Sequence, residues 1–325
     1  MSLNYHRQYN LEIRNWLLKV FEYAGTISKE ELVNRVCPVC GSTGSRFLAN
    51  NDFFDYVSCC HCTLVYMNPS FPADRVNEGF KGDDELVMEY FNIILKYKTG
   101  LPPRPDPLTD HKLKDIYAVK QWGKLLDVGC SLGDFLHKAK YFYEVEGVEV
   151  NPLTRAVTGN FFKVHEDYLS NLGLTTEYDI VTLNQILYGV PDPVTLLKDI
   201  HAVLREDGIL YINTPNADSY AMQLYKGRCN HLYGYTTQNV FNRLSLEKAA
   251  ELTGFKIKSF RTEWLDIYVT DILLFLDKPE EFIHKKNPQF EGYESRINIE
   301  EEMHKRLDYK LGERGNYLVA VLEKV

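Results

Sequence analysis

Residues 125–135, LLDVGCSLGDF, run an apolar strand into a small-residue turn and then into the start of an amphipathic helix, a succession that few folds accept. The spacing predicts the nucleotide-binding turn of an α/β sheet. Gly129 and Gly133 let the backbone approach a ligand with no Cβ in the way, and a helix start offers unpaired N–H groups and a positive dipole end. The second half of the signal lies one strand further on, where Glu144–Val150 carries Glu149 near its end and Asn151-Pro152 can open another helix. Glu149 follows Gly129 by 20 residues. A carboxylate at the tip of the second strand can accept hydrogen bonds from both hydroxyls of a ribose.

The turn reads Gly129-x-Ser131-x-Gly133 with Asp127 two residues ahead, which is not the dinucleotide pattern G-x-G-x-x-G. A pyrophosphate would be repelled by Asp127. A ligand carrying an ammonium group and a positive sulfur would be favoured by it. In these residues the chain resembles the class I S-adenosylmethionine-dependent methyltransferases. That resemblance implies that Asp127, Gly129, Ser131 and Gly133 form the glycine-rich first motif, with Ser131 where glycine is more usual, and that Glu149 is the ribose-binding acid. Asp167, after the third strand, is expected on the adenine side. Asn184, where the fourth strand ends, is expected among the other cofactor contacts.

Two C-x₂-C knuckles, Cys37-Pro38-Val39-Cys40 and Cys59-Cys60-His61-Cys62, stand 18 residues apart and hold most of the seven cysteines. That spacing predicts a zinc ribbon with Cys37, Cys40, Cys59 and Cys62 as ligands; Cys60 and His61 are ambiguous neighbours. Four thiolates close the coordination sphere, so the metal is expected to be structural. Cys130 and Cys229 read as small buried residues. A ribbon written C-P-x-C-G and closing with C-x-x-C-x-L-V-x-x-N-P, here Cys59 to Pro69, is similar to the leader of a bacterial methyltransferase subfamily that acts on sugars, lipids and other small metabolites.

At 325 residues the chain can hold one large or two modest domains. No run of about 18 apolar residues is present, and polar residues interrupt the first ten positions. Neither a membrane span nor a signal peptide is therefore expected, and the expected location is the cytoplasm. The net charge of −8, with six basic and six acidic side chains in residues 1–70, makes a nucleic-acid partner unlikely. Oligomeric state is not legible.

Four prolines in residues 102–107 exclude helix and central strand and suggest a domain boundary near residue 105. Before it, residues 1–105 are expected to hold an amphipathic helix around Trp16 and Val20 packed on the main domain, the ribbon at about 36–70, and a connecting helix from Leu86 to Tyr97. After it, apolar runs at 124–129, 144–150, 163–166, 178–184, 208–213, 256–263 and 316–323 alternate with helical ones at 110–121, 133–142, 152–161, 193–206 and 245–252. Such alternation predicts an α/β fold with a doubly wound, mainly parallel seven-stranded sheet, the Rossmann-like arrangement that the resemblance also implies. Gly208 and Gly254 are expected to end helices. Residues 265–315 read as a helical insertion in the domain spanning 106–325.

The methyl-accepting side is harder to read. In the resembled family the fourth strand leads into H-V-L-E-H and V-P-D-P, whereas this chain has Asn184-Gln185-Ile186-Leu187-Tyr188-Gly189-Val190-Pro191-Asp192-Pro193. The frame survives but its histidines and glutamate are gone. His231-Leu232-Tyr233-Gly234-Tyr235-Thr236 resembles the family's H-L-Y-Y-F-T run, which makes His231, Tyr233 and Tyr235 the expected catalytic or substrate-side group. The expected activity is methyl transfer to an oxygen or carbon of a small metabolite such as a sugar nucleotide or glycan precursor. The alternatives are an RNA or protein methyltransferase that uses the ribbon for recognition, and a non-enzymatic cofactor-binding scaffold.

Overall fold

The computed structural model describes residues 3–51, 53–98, 107–175, 177–229, 231–232, 236–263 and 313–325. Two sheets organise them. The larger has seven strands: β4 (Lys124–Val128), β5 (Glu144–Val148), β6 (Lys163–His165), β7 (Tyr178–Asn184), β8 (Leu204–Pro215), β10 (Phe255–Glu263) and β11 (Tyr317–Lys324). Their spatial order is β10-β11-β8-β7-β4-β5-β6. Strands β4 to β8 run parallel, and β11 inserts antiparallel between β8 and β10. The order reverses between β4 and β7, so a crevice is expected at the carboxyl ends of the strands there.

Both central strands are buried on both faces, which is why they read as continuous apolar runs rather than alternating ones. Helices α7 (Pro193–Val203) and α9 (Arg243–Leu252) cover one face through Leu197, Ile200, Leu246 and Ala249. Helices α4 (Pro107–Val119) and α5 (Asp134–Ala139) cover the other through Leu113, Ile116, Phe135 and Leu136. Helix α6 (Pro152–Thr158) links β5 to β6, and α8 (Tyr220–Tyr225) follows β8. The Pro-Asp-Pro frame acts locally: Asp192 caps α7 by accepting from Thr195 N, with Pro193 in its first turn.

The smaller sheet has the order β1-β2-β3-β9, from β1 (Ser45–Asn50), β2 (Asp55–Cys59), β3 (Val65–Met67) and β9 (Asn239–Val240). Its fourth strand comes from far along the chain, with Val65 opposite Val240 and Tyr66 opposite Asn239. The buried residues of the cysteine region, Cys37, Cys59, Leu64 and Tyr66 among them, are continuous with the core of the large sheet. The expected boundary at residue 105 and nearly all of the 265–315 insertion lie outside the described residues.

Helix α1 (Leu3–Ala24) lies against α3 (Glu85–Lys98), with Trp16, Val20, Ile93 and Tyr97 sharing a small core and Trp16 Nε1 donating to Leu86 O at 2.7 Å, while Ala24 at its end shares a cluster with Ala221, Met222 and Leu232. One expectation is corrected. Gly208 does not end a helix, because α7 stops at Val203 and β8 begins at Leu204, whose backbone is extended and pairs with Tyr178. Gly254 does follow a helix end, in a left-handed conformation with φ of 76°. Short α2 (Ala73–Glu78) and a π-helical turn at Gly79–Asp83 carry the chain from the ribbon to α3. Among the described residues, no helix is long and apolar enough to cross a membrane.

Candidate functional site

The turn after β4 is bent tightly enough to need three left-handed residues, Gly129, Ser131 and Gly133, with φ of 76°, 47° and 76°. The N–H groups of Gly129 and Cys130 both donate to Val148 O, at 2.8 and 3.0 Å, which ties the turn to the end of β5. Space is the second constraint. A Cβ on Gly129 would stand 2.2 Å from Ile186 Cδ1, so the loop after β7 packs directly over the glycine.

Glu149 lies next to this turn and is buried. Its Oε2 accepts from Ser131 N at 2.8 Å and its Oε1 from Asn151 N at 2.7 Å. Burial raises its pKa, against the pull of those two bonds and of Arg155. Each oxygen keeps a further lone pair, so the carboxylate can still accept two hydroxyls. Asp127 is also buried, and its Oδ1 accepts from Thr182 Oγ1 at 2.6 Å and Asn184 Nδ2 at 3.0 Å. Burial pushes its carboxyl up to about 6, while Thr182 and Asn184 pull it down. Asn184 Oδ1 is buried with no hydrogen-bond partner. Two carboxylates and an orphaned amide oxygen, beside a glycine turn at the carboxyl ends of adjacent strands, form a set of acceptors that fits a ligand with ribose hydroxyls and an ammonium group to donate.

Asp167 sits at the rim, where Lys81 Nζ approaches its Oδ1 at 2.9 Å and Tyr168 N and Asn171 Nδ2 also bond it. Lys81 foremost holds its carboxyl below the usual range. The same π-helical turn reaches Glu149's neighbour, since Asn151 Nδ2 donates to Phe80 O at 3.2 Å. Sequence reasoning missed Thr182 and Asn151 as braces of the two acids. The Asn-Pro pair signalled a helix start, and Asn151 does cap α6, but nothing in the pattern revealed its bond to Glu149.

Beyond β7, Gln185 adopts φ of 60°, its N–H donates to Asn213 O at 2.9 Å, and its Nε2 bonds Asn213 Oδ1. Its amide is thus engaged with a neighbouring strand end. Gly189 stands where the resembled family has a histidine, and a Cβ there would come within 3.3 Å of Thr236 O. His231 is 4% exposed, lies against the Tyr317 ring with centroids 5.3 Å apart, and bonds the backbone of Asn316. Its Nε2 has no partner. Tyr317 opens β11 opposite Pro215, so His231 is on the carboxyl-end side of the parallel strands. Burial lowers its pKa to about 4. Tyr233 and Tyr235 lie outside the described residues. Of the other histidines, His165 bonds Glu146 at 2.9 Å and His201 packs on Phe255; His284 and His304 lie outside the described residues.

The four expected cysteine ligands converge, with all Sγ atoms within 4.8 Å of one another. Cys37 and Cys62 are 3.4 Å apart and Cys40 and Cys59 3.6 Å. Four sulfurs tetrahedrally placed around zinc at about 2.3 Å would be separated by about 3.8 Å, so the cluster fits that ion. Each knuckle turns through a left-handed residue after its second cysteine, Gly41 and Thr63. Cys60 and His61 are exposed and outside the cluster. A hydrogen bond from Cys62 foremost lowers the Cys37 thiol to about 5, while Cys62 itself is pushed up.

Residues 104–259, just under half of the chain, match a family model described as a methyltransferase domain. A ubiquinone biosynthesis O-methyltransferase of Actinobacillus pleuropneumoniae serotype 7 (strain AP76) is 30% identical over 116 residues, which are 31% of this chain and 49% of that protein. The chain thus spans about half the length of this curated relative. Among solved structures, the [4+2]-cyclase SpnF is 15% identical and covers 78% of this chain and 97% of its own, with a TM-score of 0.50, a likeness of fold. The 1,6-didemethyltoxoflavin-N1-methyltransferase of Burkholderia thailandensis, solved with 1,6-didemethyltoxoflavin and S-adenosylhomocysteine, is 15% identical over 82% of this chain and 97% of its own, with a TM-score of 0.48.

A buried neutral imidazole makes stability depend on pH. The folded pKa of His231, about 4, lies below the ordinary 6.5, so the unfolded chain binds more protons between those values. Its contribution is complete above about pH 6.5 and is lost as pH falls toward 4. Urea unfolding of the parent is expected to lose about 2 kcal/mol between pH 6.5 and pH 5 from this group, and His231→Gln is expected to lose that much less over the same interval.

Proposed function

We propose that residues 104–259, which match a family model described as a methyltransferase domain, act as a class I, S-adenosylmethionine-dependent methyltransferase on an oxygen or carbon of a small metabolite, such as a sugar nucleotide or glycan precursor. The observation that carries the reading is the pair of buried carboxylates, Asp127 and Glu149, on either side of the left-handed turn. Glu149 would hold the ribose hydroxyls, Asp127 and Asn184 the ammonium end, Asp167 the adenine side, and the Gly129–Gly133 backbone the space between. S-adenosylmethionine, when bound, supplies an electrophilic methyl group on a positive sulfur. The name of the curated relative, an O-methyltransferase, supports oxygen as the accepting atom.

The chain's own task is then to orient the acceptor and remove its proton. Nε2 of His231 is the group we assign to it. The ring bonds the Asn316 backbone through its other nitrogen, so Nε2 presents a lone pair. With a pKa near 4, it acts first as a hydrogen-bond acceptor that aims a hydroxyl. It becomes a competent base when transfer makes the acceptor's proton strongly acidic. Tyr233 and Tyr235 are assigned to the same substrate-side group from the sequence resemblance.

The cysteine cluster is assigned to structural zinc, because four sulfur ligands leave no open position for a reactant. Among the described rings of this module Phe54, Tyr56 and Tyr66 are buried while Phe47 and Phe53 are exposed, so the aromatic surface gives RNA recognition little support.

Three outcomes are expected. Glu149→Ala should weaken S-adenosylhomocysteine binding by roughly 3 kcal/mol, about 100-fold in Kd by calorimetry, because two charge-assisted hydrogen bonds are lost. Equal affinity in variant and parent would show that another acid binds the ribose. Elemental analysis should find close to one zinc per parent chain purified without chelator, and Cys40→Ser should lose most of it while the large sheet stays folded. His231→Ala should lower turnover by about 10²-fold or more with cofactor affinity little changed, whereas Tyr233→Phe and Tyr235→Phe should mainly raise the KM for the acceptor. Parental turnover in His231→Ala would end the base assignment.

A further inference from the structure

The segment from Ala217 to Asn242 leaves the large sheet after β8 and returns to it at α9. Its two ends are tied to each other, Ala217 N donating to Phe241 O at 2.7 Å and Asn242 Nδ2 to Asp218 Oδ1 at 3.3 Å, and Phe241 bridges to Asn216 just after β8. Its middle, which carries His231, is held by the ribbon. Asn51 Nδ2 donates to Leu232 O at 2.7 Å, Tyr56 OH to Thr237 O at 3.0 Å, and Met67 N to Gln238 O at 3.1 Å. Gly227 is pressed so closely on the end of β1 that a Cβ there would meet Asn50 O at 1.8 Å. Cys229 and Leu232 are buried in a cluster whose other side is Ala49, Phe54, Val65 and Met67.

Arg35, two residues ahead of Cys37, extends the seam to the other loop on this side. Its Nη2 donates to Pro191 O at 2.7 Å and its Nη1 to Gln238 Oε1 at 3.4 Å. Tyr188 O in turn accepts from the N–H groups of Gln238 and Asn239, both at 2.9 Å. The glycine turn after β4 has a different support: its hydrogen bonds run to Val148, Glu149 and Thr158, all within the large domain. The ribbon's short strands pack on the core of the large sheet, and the four-cysteine cluster is what joins its two knuckles.

We propose that the four-cysteine module is a positioning device for the acceptor-side loops: metal occupancy fixes residues 217–229, 231–232 and 236–242, His231 included, through this seam, and loss of the metal opens that side while the cofactor turn stays formed. The name "acceptor side" rests on the function proposed above; the coupling itself does not. Arg35 and Gly227 are the positioning residues of the seam, and neither is assigned contact with a reactant.

Two buried thiols report on the two halves, Cys229 in the seam and Cys130 in the cofactor turn. The test is N-ethylmaleimide labelling of the full chain, read peptide by peptide by mass spectrometry. It compares the zinc-loaded parent, the same protein stripped with chelator, and a zinc-loaded Gly227→Ala variant. In the loaded parent both thiols should be protected. Stripping should speed Cys229 labelling tenfold or more while Cys130 stays within threefold of the parent. Gly227→Ala should expose Cys229 in the same way with its zinc content unchanged, because the new Cβ pushes the loop off β1 and leaves the knuckles alone.

Cys229 that stays protected in the stripped protein would overturn the proposal, as would its protection in Gly227→Ala. Cys130 and Cys229 becoming reactive together on stripping would also overturn it, since the metal would then support the whole fold. No methyl transfer enters the readout, so a protein inactive on every acceptor would still give the predicted labelling if the seam is as described. A failed labelling result would leave the methyltransferase reading untouched.

Discussion

Glu149 accepts a backbone hydrogen bond at each carboxylate oxygen, from Ser131 on one side and Asn151 on the other, and this clamp organises the cofactor half of the molecule. It joins the turn after β4, the end of β5 and the first turn of α6 at one buried charge. Burying a carboxylate is costly unless its oxygens are satisfied, so the turn must present its N–H inward, and that requirement places Ser131 in the left-handed region. The left-handed glycines on either side follow from the same bend, and Ile186 then packs on the only residue type that leaves it room. Asp127 is treated alike one strand over, with Thr182 and Asn184 supplying its hydrogen bonds. Two acids in adjacent strands are kept buried and usable because every element around them contributes a donor.

The segment after β8 is supported differently, by hydrogen bonds from Asn51, Tyr56 and Met67 of the ribbon. Strand β9 is two residues long and exists only because β3 offers it a partner. The loop after β7 is drawn in as well, through Tyr188 and Pro191. Gly189 is part of that closeness: a Cβ there would stand 3.3 Å from Thr236 O, a tight contact where the resembled family carries a histidine.

Much of this could be read from the residues. The central strands of the large sheet were legible because burial on both faces turns β4, β7 and the second half of β8 into largely apolar runs, and the expected bounds of the sheet's strands differ from the observed ones by a few residues at most sites. The knuckle spacing identified the cysteine cluster because ligand geometry is local. Gly208 misled because a glycine after a helical run signals a helix end, whereas here the chain had already entered β8 at Leu204. Strand β9 was invisible since Asn239–Val240 has no period and its partner lies more than 170 positions earlier. Thr182 was missed for a related reason, since the acid it faces is set by the sheet order; Asn151 is only two residues from Glu149, and its bond depends on how the chain bends out of β5.

The central claim is that the buried acids at the ends of β4 and β5 hold S-adenosylmethionine. A crystal structure of the full chain grown with near-millimolar S-adenosylhomocysteine tests it most directly. The account predicts ribose hydroxyls on the Glu149 carboxylate, the amino-acid end near Asp127 and Asn184, and the ligand lying along the Gly129–Gly133 turn. A ligand bound with its ribose away from Glu149, or well-ordered crystals with no nucleoside beside that turn, would contradict it.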